Sequence, residues 1–344
     1  FTYVLTKNCN FKNNTGSVGA GLYILYCYFI RTETSYFAFN HGMDNGGGIL
    51  VSGVTKCFIN GSSFFGNKAA AANEFTLQFE LCHGGGILIK RVYIFTIANS
   101  HYLQNSADCG GAIYITANLV FILQKSYFIG NRAQSKYAGS GGAINVVFTK
   151  IGTIRISNVT FMKNLARNDG GGIRIDEKGF QVEMQNTHFI SNRATDGAGV
   201  FIRNTSLLKT EKCKFILNKA FDQGAISMKG ITQVKFVQSV FMKNFANGYK
   251  DPIAAIYARD CQVVYYLQCL FINSYTGAIF HFDNKIVLTK NCTFQNNTGK
   301  FGSGIHLKLC ETFQIEQTRF MSNTAEHKGG ALFAEFQFSI SIQF

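Results

Sequence analysis

The sequence predicts an all-β chain wound as a right-handed parallel β-helix of about twelve coils, with three short strands per coil. Three observations carry that prediction. Phe-x-x-Asn recurs along the whole length, a Gly-Gly-(Ala/Gly)-(Ile/Leu) motif alternates with it, and no segment has the hydrophobic period of a helix. The first motif stands at Phe11/Asn14, Phe37/Asn40, Phe64/Asn67, Phe128/Asn131, Phe161/Asn164, Phe189/Asn192, Phe215/Asn218, Phe241/Asn244, Phe294/Asn297 and Phe320/Asn323. Tyr102/Asn105 and Phe271/Ser274 are degenerate copies. The second runs Gly46 to Ile49, Gly84 to Ile87, Gly110 to Ile113, Gly141 to Ile144, Gly170 to Ile173 and Gly329 to Leu332.

The commonest step between aromatics is 26 residues, and aligning the copies on that residue sorts the columns by polarity. Seven and five before the aromatic are mostly apolar, as in Ile154/Ile156 and Val182/Met184. Two before is Cys, Ser, Thr or Val, while three before is polar apart from Gly61, as in Asn99, Lys125, Asn158 and Gln238. A period of two interrupted once gives two strands with a sharp bend between them. The Gly-Gly segment supplies a third, with Ile113/Ile115 and Val200/Ile202 among its inward pairs. Such a coil buries its apolar face only when stacked on copies of itself at ~4.8 Å, so twelve coils make a rod on the order of 55 Å long. The Asn is expected to take left-handed torsions at a corner and to bond its neighbour in the next coil, and the Gly pairs to hold torsions that other residues would strain.

Composition agrees with a single packed architecture. The chain has 344 residues, of which 47% are apolar and 15% charged, too apolar for disorder. No linker or low-complexity block divides it, so residues 1–344 read as one continuous solenoid. The longest apolar run, Gly21 to Ile30, falls short of the roughly 20 residues of a spanning helix. Its start, Phe-Thr-Tyr-Val-Leu, has no signal-peptide n-region. Val4 has no preceding Gly-Gly strand, and Ile340 and Ile342 begin a thirteenth coil without its aromatic. Both ends are therefore expected to be cut within a coil of a longer molecule, and any membrane attachment to lie in a part outside this sequence.

Gly-Gly-Ala-Ile alternating with Phe-x-x-Asn resembles the repeat of chlamydial polymorphic outer membrane proteins and of large β-helical surface proteins of ciliated protists, within the pectin-lyase-like β-helix group. The resemblance spans the chain and implies a secreted or surface-displayed structural or adhesive segment. Such helices carry adhesins, lyases and scaffolds alike.

The surface offers three sets of candidate residues. With 33 basic and 19 acidic side chains, the net charge is +14. Three after the inward Ile of the Gly-Gly strand lie Lys90, Arg203, Lys229, Arg259 and Lys308, with Asp176 and Glu335 in the same column. Arg203, Lys229 and Arg259 occupy consecutive coils, a spacing suited to a linear acidic glycan; a solvated flank is the alternative. Nucleic acid is not expected, since no recognised binding module is present and the aromatics fill core columns. Sequons stand at Asn13, Asn60, Asn158, Asn204, Asn291 and Asn296. Among ten cysteines, Cys269 and Cys292 fall in one column of adjacent coils, within reach of a disulfide. Between Asn67 and the next Gly pair, Lys68 to His83 form the longest excursion, the kind of edge insertion that marks a contact face.

Catalysis finds no constellation. β-helix lyases and hydrolases need clustered carboxylates on an outer face, and Asp169, Asp176 and Glu177 come nearest; they read as turn residues. His281 interrupts an apolar column and reads as a core histidine. The Gly runs recur with the coil period and precede strands, which excludes a dinucleotide loop. No cofactor or metal set is expected. The reading is a non-enzymatic rod whose partners are other copies, other surface proteins or acidic glycans; a carbohydrate-binding or carbohydrate-cleaving β-helix is the alternative.

Overall fold

The computed structural model describes residues 2–70, 82–116, 120–135, 139–147, 152–176, 178–248, 254–335 and 339–343. These are strands, bends and turns without a helix, so no helix among them is long and apolar enough to cross a membrane. The seventh coil shows the plan. Gln181–Gln185, His188–Ile190, Arg193–Asp196 and Val200–Arg203 are strands, each followed by one left-handed residue: Asn186, Ser191, Gly197 and Asn204, with φ between 45° and 62°. Each such residue turns an extended chain sharply, so a coil has four corners. The strand after the Asn, short and present in most coils, joins the three read from the sequence.

Stacking is parallel throughout. The aromatic strands form a twelve-stranded sheet, and the post-Asn strands a nine-stranded and a two-stranded one. The two remaining classes share a 23-stranded sheet because Ile49–Asn60 and Ile87–Ala98 each run through both. The thirteenth-coil assignment holds, since Ile340 and Ile342 pair with Phe313 and Ile315. Residues 71–81, most of the long excursion, lie outside the described residues; Lys68 and Ala69 at its start continue the edge sheet beside His41 and Gly42.

The interior follows the columns. Twelve rings from Phe11 to Phe320, Tyr102 included, make one continuous stack with neighbouring centroids 4.5–5.1 Å apart and planes within 17°. Each offset pair adds about 0.5–1.5 kcal/mol beyond the area it buries. Phe161, Phe189 and Phe215 are consecutive members, and all three are buried.

The corners correct one expectation. All twelve residues three before the aromatic are left-handed, from Asn8 to Gln317. So are all twelve residues two after it, among them Asn13, Lys163, Leu217 and Ser322. The Asn of Phe-x-x-Asn therefore does not make the turn; its predecessor does. The Asn points inward instead, fully buried in most coils. Its Oδ1 accepts both the backbone N–H and the Nδ2–H of the preceding Asn, and its Nδ2 also donates to the carbonyl of the aromatic one coil back. At Asn192 these four contacts are 2.9–3.0 Å. Ser274 interrupts the ladder: its hydroxyl is too short to bridge and is buried without a partner.

The small column two before the aromatic is also polar by design. Ser62, Ser100 and Ser239 donate to the carbonyl two residues earlier, across the left-handed corner, and the hydroxyls of Ser62, Ser100 and Ser126 accept a backbone N–H from the preceding coil. Cys substitutes because a thiol makes the same, weaker pair of contacts.

The Gly pair divides its work. The first Gly is left-handed, as at Gly110, Gly170 and Gly197, with φ of 63°, 65° and 58°. The second is not. It is Gly because backbone crowds it: a Cβ on Gly171 would lie 2.4 Å from the carbonyl oxygens of both Ala198 and Arg193.

Candidate interaction surfaces

The Gly-Gly strand presents two outer columns. The first, one after the inward Ile, reads as exposed from alternation, yet Leu50, Leu88, Asn145, Phe201, Ser227, Phe280 and His306 are buried. The residue before each first Gly folds over it. His83 packs on Tyr114 with centroids 4.1 Å apart, Asp169 reaches Arg174 at 3.5 Å, and Phe301 packs on Phe333 at 5.6 Å. Single-strand alternation could not show this, because the covering row comes from across a corner.

The second column holds the candidate cations. Register places Asp176, Arg203, Lys229, Arg259, Phe282, Lys308 and Glu335 in one line, as the repeat required. Lys90 lies in the same column further along, between Ser52 and Thr116. The line is largely self-neutralised. Asp176 receives Arg203 through Nη2 and through Nε at 2.7 Å, and Arg174 at 2.6 Å. Arg259 lies 3.3 Å from Asp260 and 5.0 Å over the Phe282 ring. Lys308 is 3.9 Å from Glu335. Hydrogen bonding to Asp176 raises the Arg203 pKa further. Asp169 and Asp176 are thus partners of arginine, not turn residues, and Glu177 lies outside the described residues.

All six sequon asparagines are exposed. Asn13, Asn158, Asn204, Asn291 and Asn296 occupy left-handed corners, while Asn60 ends a strand. Asn186 and Asn273, at equivalent corners without a sequon, show that torsion alone also selects Asn there.

The structure carries Cys269 and Cys292 as free thiols, as it does the other eight cysteines. They stack as expected, but they take their column's usual contacts. The Cys292 sulfur accepts the Cys269 backbone N–H at 3.3 Å, and the thiols donate to Leu267 O and Lys290 O.

Burial pushes the carboxyls of Asp169 and Asp196 up and holds the imidazoles of His83, His188 and His281 down. Burial, with Asp169 and Asp222 nearby, pushes the Asp196 carboxyl up to about 6, against a backbone N–H from Gln223. His281 is fully buried and held down to about 3 by desolvation. Its Nδ1 accepts from Asn284 Nδ2 at 2.9 Å, and Ala258 in the preceding coil leaves it room. His281 contributes stability that is complete above about pH 6.5 and is lost as pH falls toward 3, by up to about 1.4 kcal/mol per pH unit. Asp196 works the other way, its contribution being lost as pH rises from about 4 to 6. His281→Leu should flatten the acid limb of the stability profile and Asp196→Asn should steepen it. Urea midpoints at pH 7, 5 and 4 measure this; a His281→Leu profile parallel to the parent's would refute the assignment.

A shallow hollow of about 260 Å³ on the outer face includes Arg155, Glu183, Lys209 and Glu211 in its lining. Its two carboxylates are each held by a cation, Glu183 by Arg155 at 3.3 Å and Glu211 by Lys209 at 3.7 Å.

No family model matches the chain, so the likeness to the bacterial and protist surface repeats stands on the motif pattern. In a comparison with curated proteins, it is similar to metabotropic glutamate receptor-like protein R of Dictyostelium discoideum, 24% identical over 364 residues. The alignment covers 98% of this chain and 21% of that protein, so the chain spans about a fifth of its relative's length.

Proposed function

We propose that this chain is a stiff, non-catalytic rod segment of a secreted or cell-surface protein, carrying loops along its edges and meeting other copies, other surface proteins or acidic glycans through its flanks. The observation that carries the reading is the filled interior: twelve continuously stacked rings and a buried Asn ladder broken once, at Ser274, occupy the described coils. A filled, parallel-stacked solenoid supplies length and repeated outer columns. Similarity to a receptor-like protein over a fifth of its length supports one stretch of a larger surface molecule, and the six exposed sequons are then its glycosylation sites. Expression of the full-length protein with an epitope in this segment tests the location. Labelling on intact cells and a mobility shift on enzymatic deglycosylation are expected; a tag reachable only after permeabilisation would sink the reading.

The carbohydrate-cleaving alternative would draw on carboxylates of the outer face such as Glu183 and Glu211, each of which lies beside a cation. Incubation with uronic-acid polymers, with and without calcium, is expected to yield no new reducing ends and no unsaturated products. Either product would replace the rod reading with an enzymatic one.

A further inference from the structure

We propose that the edge flanking the buried Asn column, the left-handed corner before it and the strand after it, is a docking edge for a linear polyanion of the acidic-polysaccharide class. Five consecutive coils each place one exposed cation there: Arg132, Lys163, Arg193, Lys219 and Lys243. Arg132, Leu165, Arg193 and Lys219 are register partners in turn along the post-Asn strands. Lys163 and Lys243 stand at the left-handed corner two residues earlier, with φ of 55° and 52°. At ~4.8 Å per coil the five span on the order of 20 Å, one charge per coil. None of them is ion-paired among the described residues, whereas Arg203, Arg259 and Lys308 of the Gly-Gly flank all are. Lys219 lies 5.2 Å over the Phe245 ring, which leaves its charge available.

A second observation is independent of the first. Across all twelve coils, the eight columns from three before the aromatic to four after it contain eleven Lys or Arg and not one Asp or Glu, although the chain has 19 acids. One whole side of the rod therefore lacks the countercharge found elsewhere. Like charges ~5 Å apart repel by a few tenths of a kcal/mol to about 1 kcal/mol in water. A polyanion laid along the row removes that repulsion and releases counterions from both partners.

The occupant follows from shape and sign. A second copy would bring the same charge to the same edge. Single-stranded nucleic acid binds by stacking its bases on exposed aromatics; on this side the exposed Tyr127 is already stacked on His101 and Phe245 lies under Lys219, so the row offers no run of open ring faces. A bilayer lying flat on the sheet would meet the exposed sequon Asn158 at the opposite corner, while a single chain along the row stays clear of it. One charge per coil, set in two columns two residues apart along one edge, matches a linear polymer with a charge every sugar or two.

The inference rests on the rod being a contact element, and the test separates the two. Affinity of the full chain for polygalacturonate and for heparin is measured between about 50 and 200 mM salt, with anionic phosphatidylglycerol vesicles in parallel. The parent is expected to bind polymer with an affinity that falls steeply with salt. Changing all five to Gln should weaken binding at least about tenfold, while Arg203→Gln, Lys229→Gln and Arg259→Gln together should change it by less than about twofold. Lys163→Arg with Lys219→Arg and Lys243→Arg should bind as the parent does. If the five-Gln chain does not fold, as judged by circular dichroism, Lys163→Gln and Lys243→Gln singly should each weaken binding about two- to threefold. Unchanged binding in the Gln variants, loss confined to the Gly-Gly flank, or binding to vesicles without polymer overturns the docking edge. Cleavage of bound polymer would overturn the rod reading and leave the edge standing.

Discussion

Gly171→Ala is expected to destabilise the sixth and seventh coils by more than about 3 kcal/mol, or to prevent the chain from folding. The added Cβ would lie 2.4 Å from two backbone oxygens of the next coil, those of Ala198 and Arg193. No rotamer relieves that contact, because a Cβ has none, so backbone must shift, and close-packed interiors resist even a methylene of excess. Ala198 fills the register-equivalent place one coil on, so the cost is set by the two oxygens facing Gly171. Gly130→Ala is the contrasting case. Gly130 is left-handed at φ 67°, yet its nearest obstacle would be Gln104 Cγ at 3.6 Å. Only torsion opposes that change, at about 1–2 kcal/mol, and Lys163 and Ser191 occupy the equivalent corner in neighbouring coils. Denaturant unfolding of both variants measures the difference. A Gly171→Ala chain as stable as Gly130→Ala would show that the coils breathe far more than their spacing implies.

Asn192→Ala should cost about 3–5 kcal/mol, from four buried hydrogen bonds removed at once. The Asn164 backbone N–H and Nδ2–H lose their shared acceptor, and the Phe161 carbonyl and Asn218 Oδ1 each lose a donor. Leaving buried groups unpaired costs about 1–3 kcal/mol apiece, partly relieved by relaxation. Nearest-neighbour stability in a solenoid localises the damage, so hydrogen exchange should quicken first in coils six to eight. The reciprocal change, Ser274→Asn, fills the ladder's gap and should gain about 1 kcal/mol. Loss of less than 1 kcal/mol in Asn192→Ala would remove the ladder from the account of stability.

Fold class, coil count and the identity of the stacked aromatic were legible because period-two burial leaves a column for every inward residue, and Phe161, Phe189 and Phe215 align without the structure. The role of Asn was half legible. Its amide was read as bonding from coil to coil, but the left-handed torsion was assigned to it instead of to Lys163 or Ser191 beside it, since those residue types do not advertise such a torsion. The burial of Phe201 and Phe280 was illegible: the row that covers their column arrives from another side of the corner, which no single column reports. The charged line at Arg203, Lys229 and Arg259 was placed correctly. Its neutralisation depends on Asp176, one coil away, and on Asp260, at the next corner, so reading one column at a time overstated its field.

Each Asn Nδ2 of the ladder hands one proton forward, to the Oδ1 of the next Asn, and the other back, to the carbonyl of the preceding aromatic. Along the Asn-to-Asn steps any stretch of the rod therefore has an arrow: its leading face offers the backbone and side-chain N–H of its last Asn, and its trailing face offers the Oδ1 of its first. Two stretches can join leading face to trailing face without a seam, but two like faces brought together meet as proton against proton. Length can accordingly be gained or lost in whole turns while the wire of amides stays continuous, and an inverted turn cannot be spliced in.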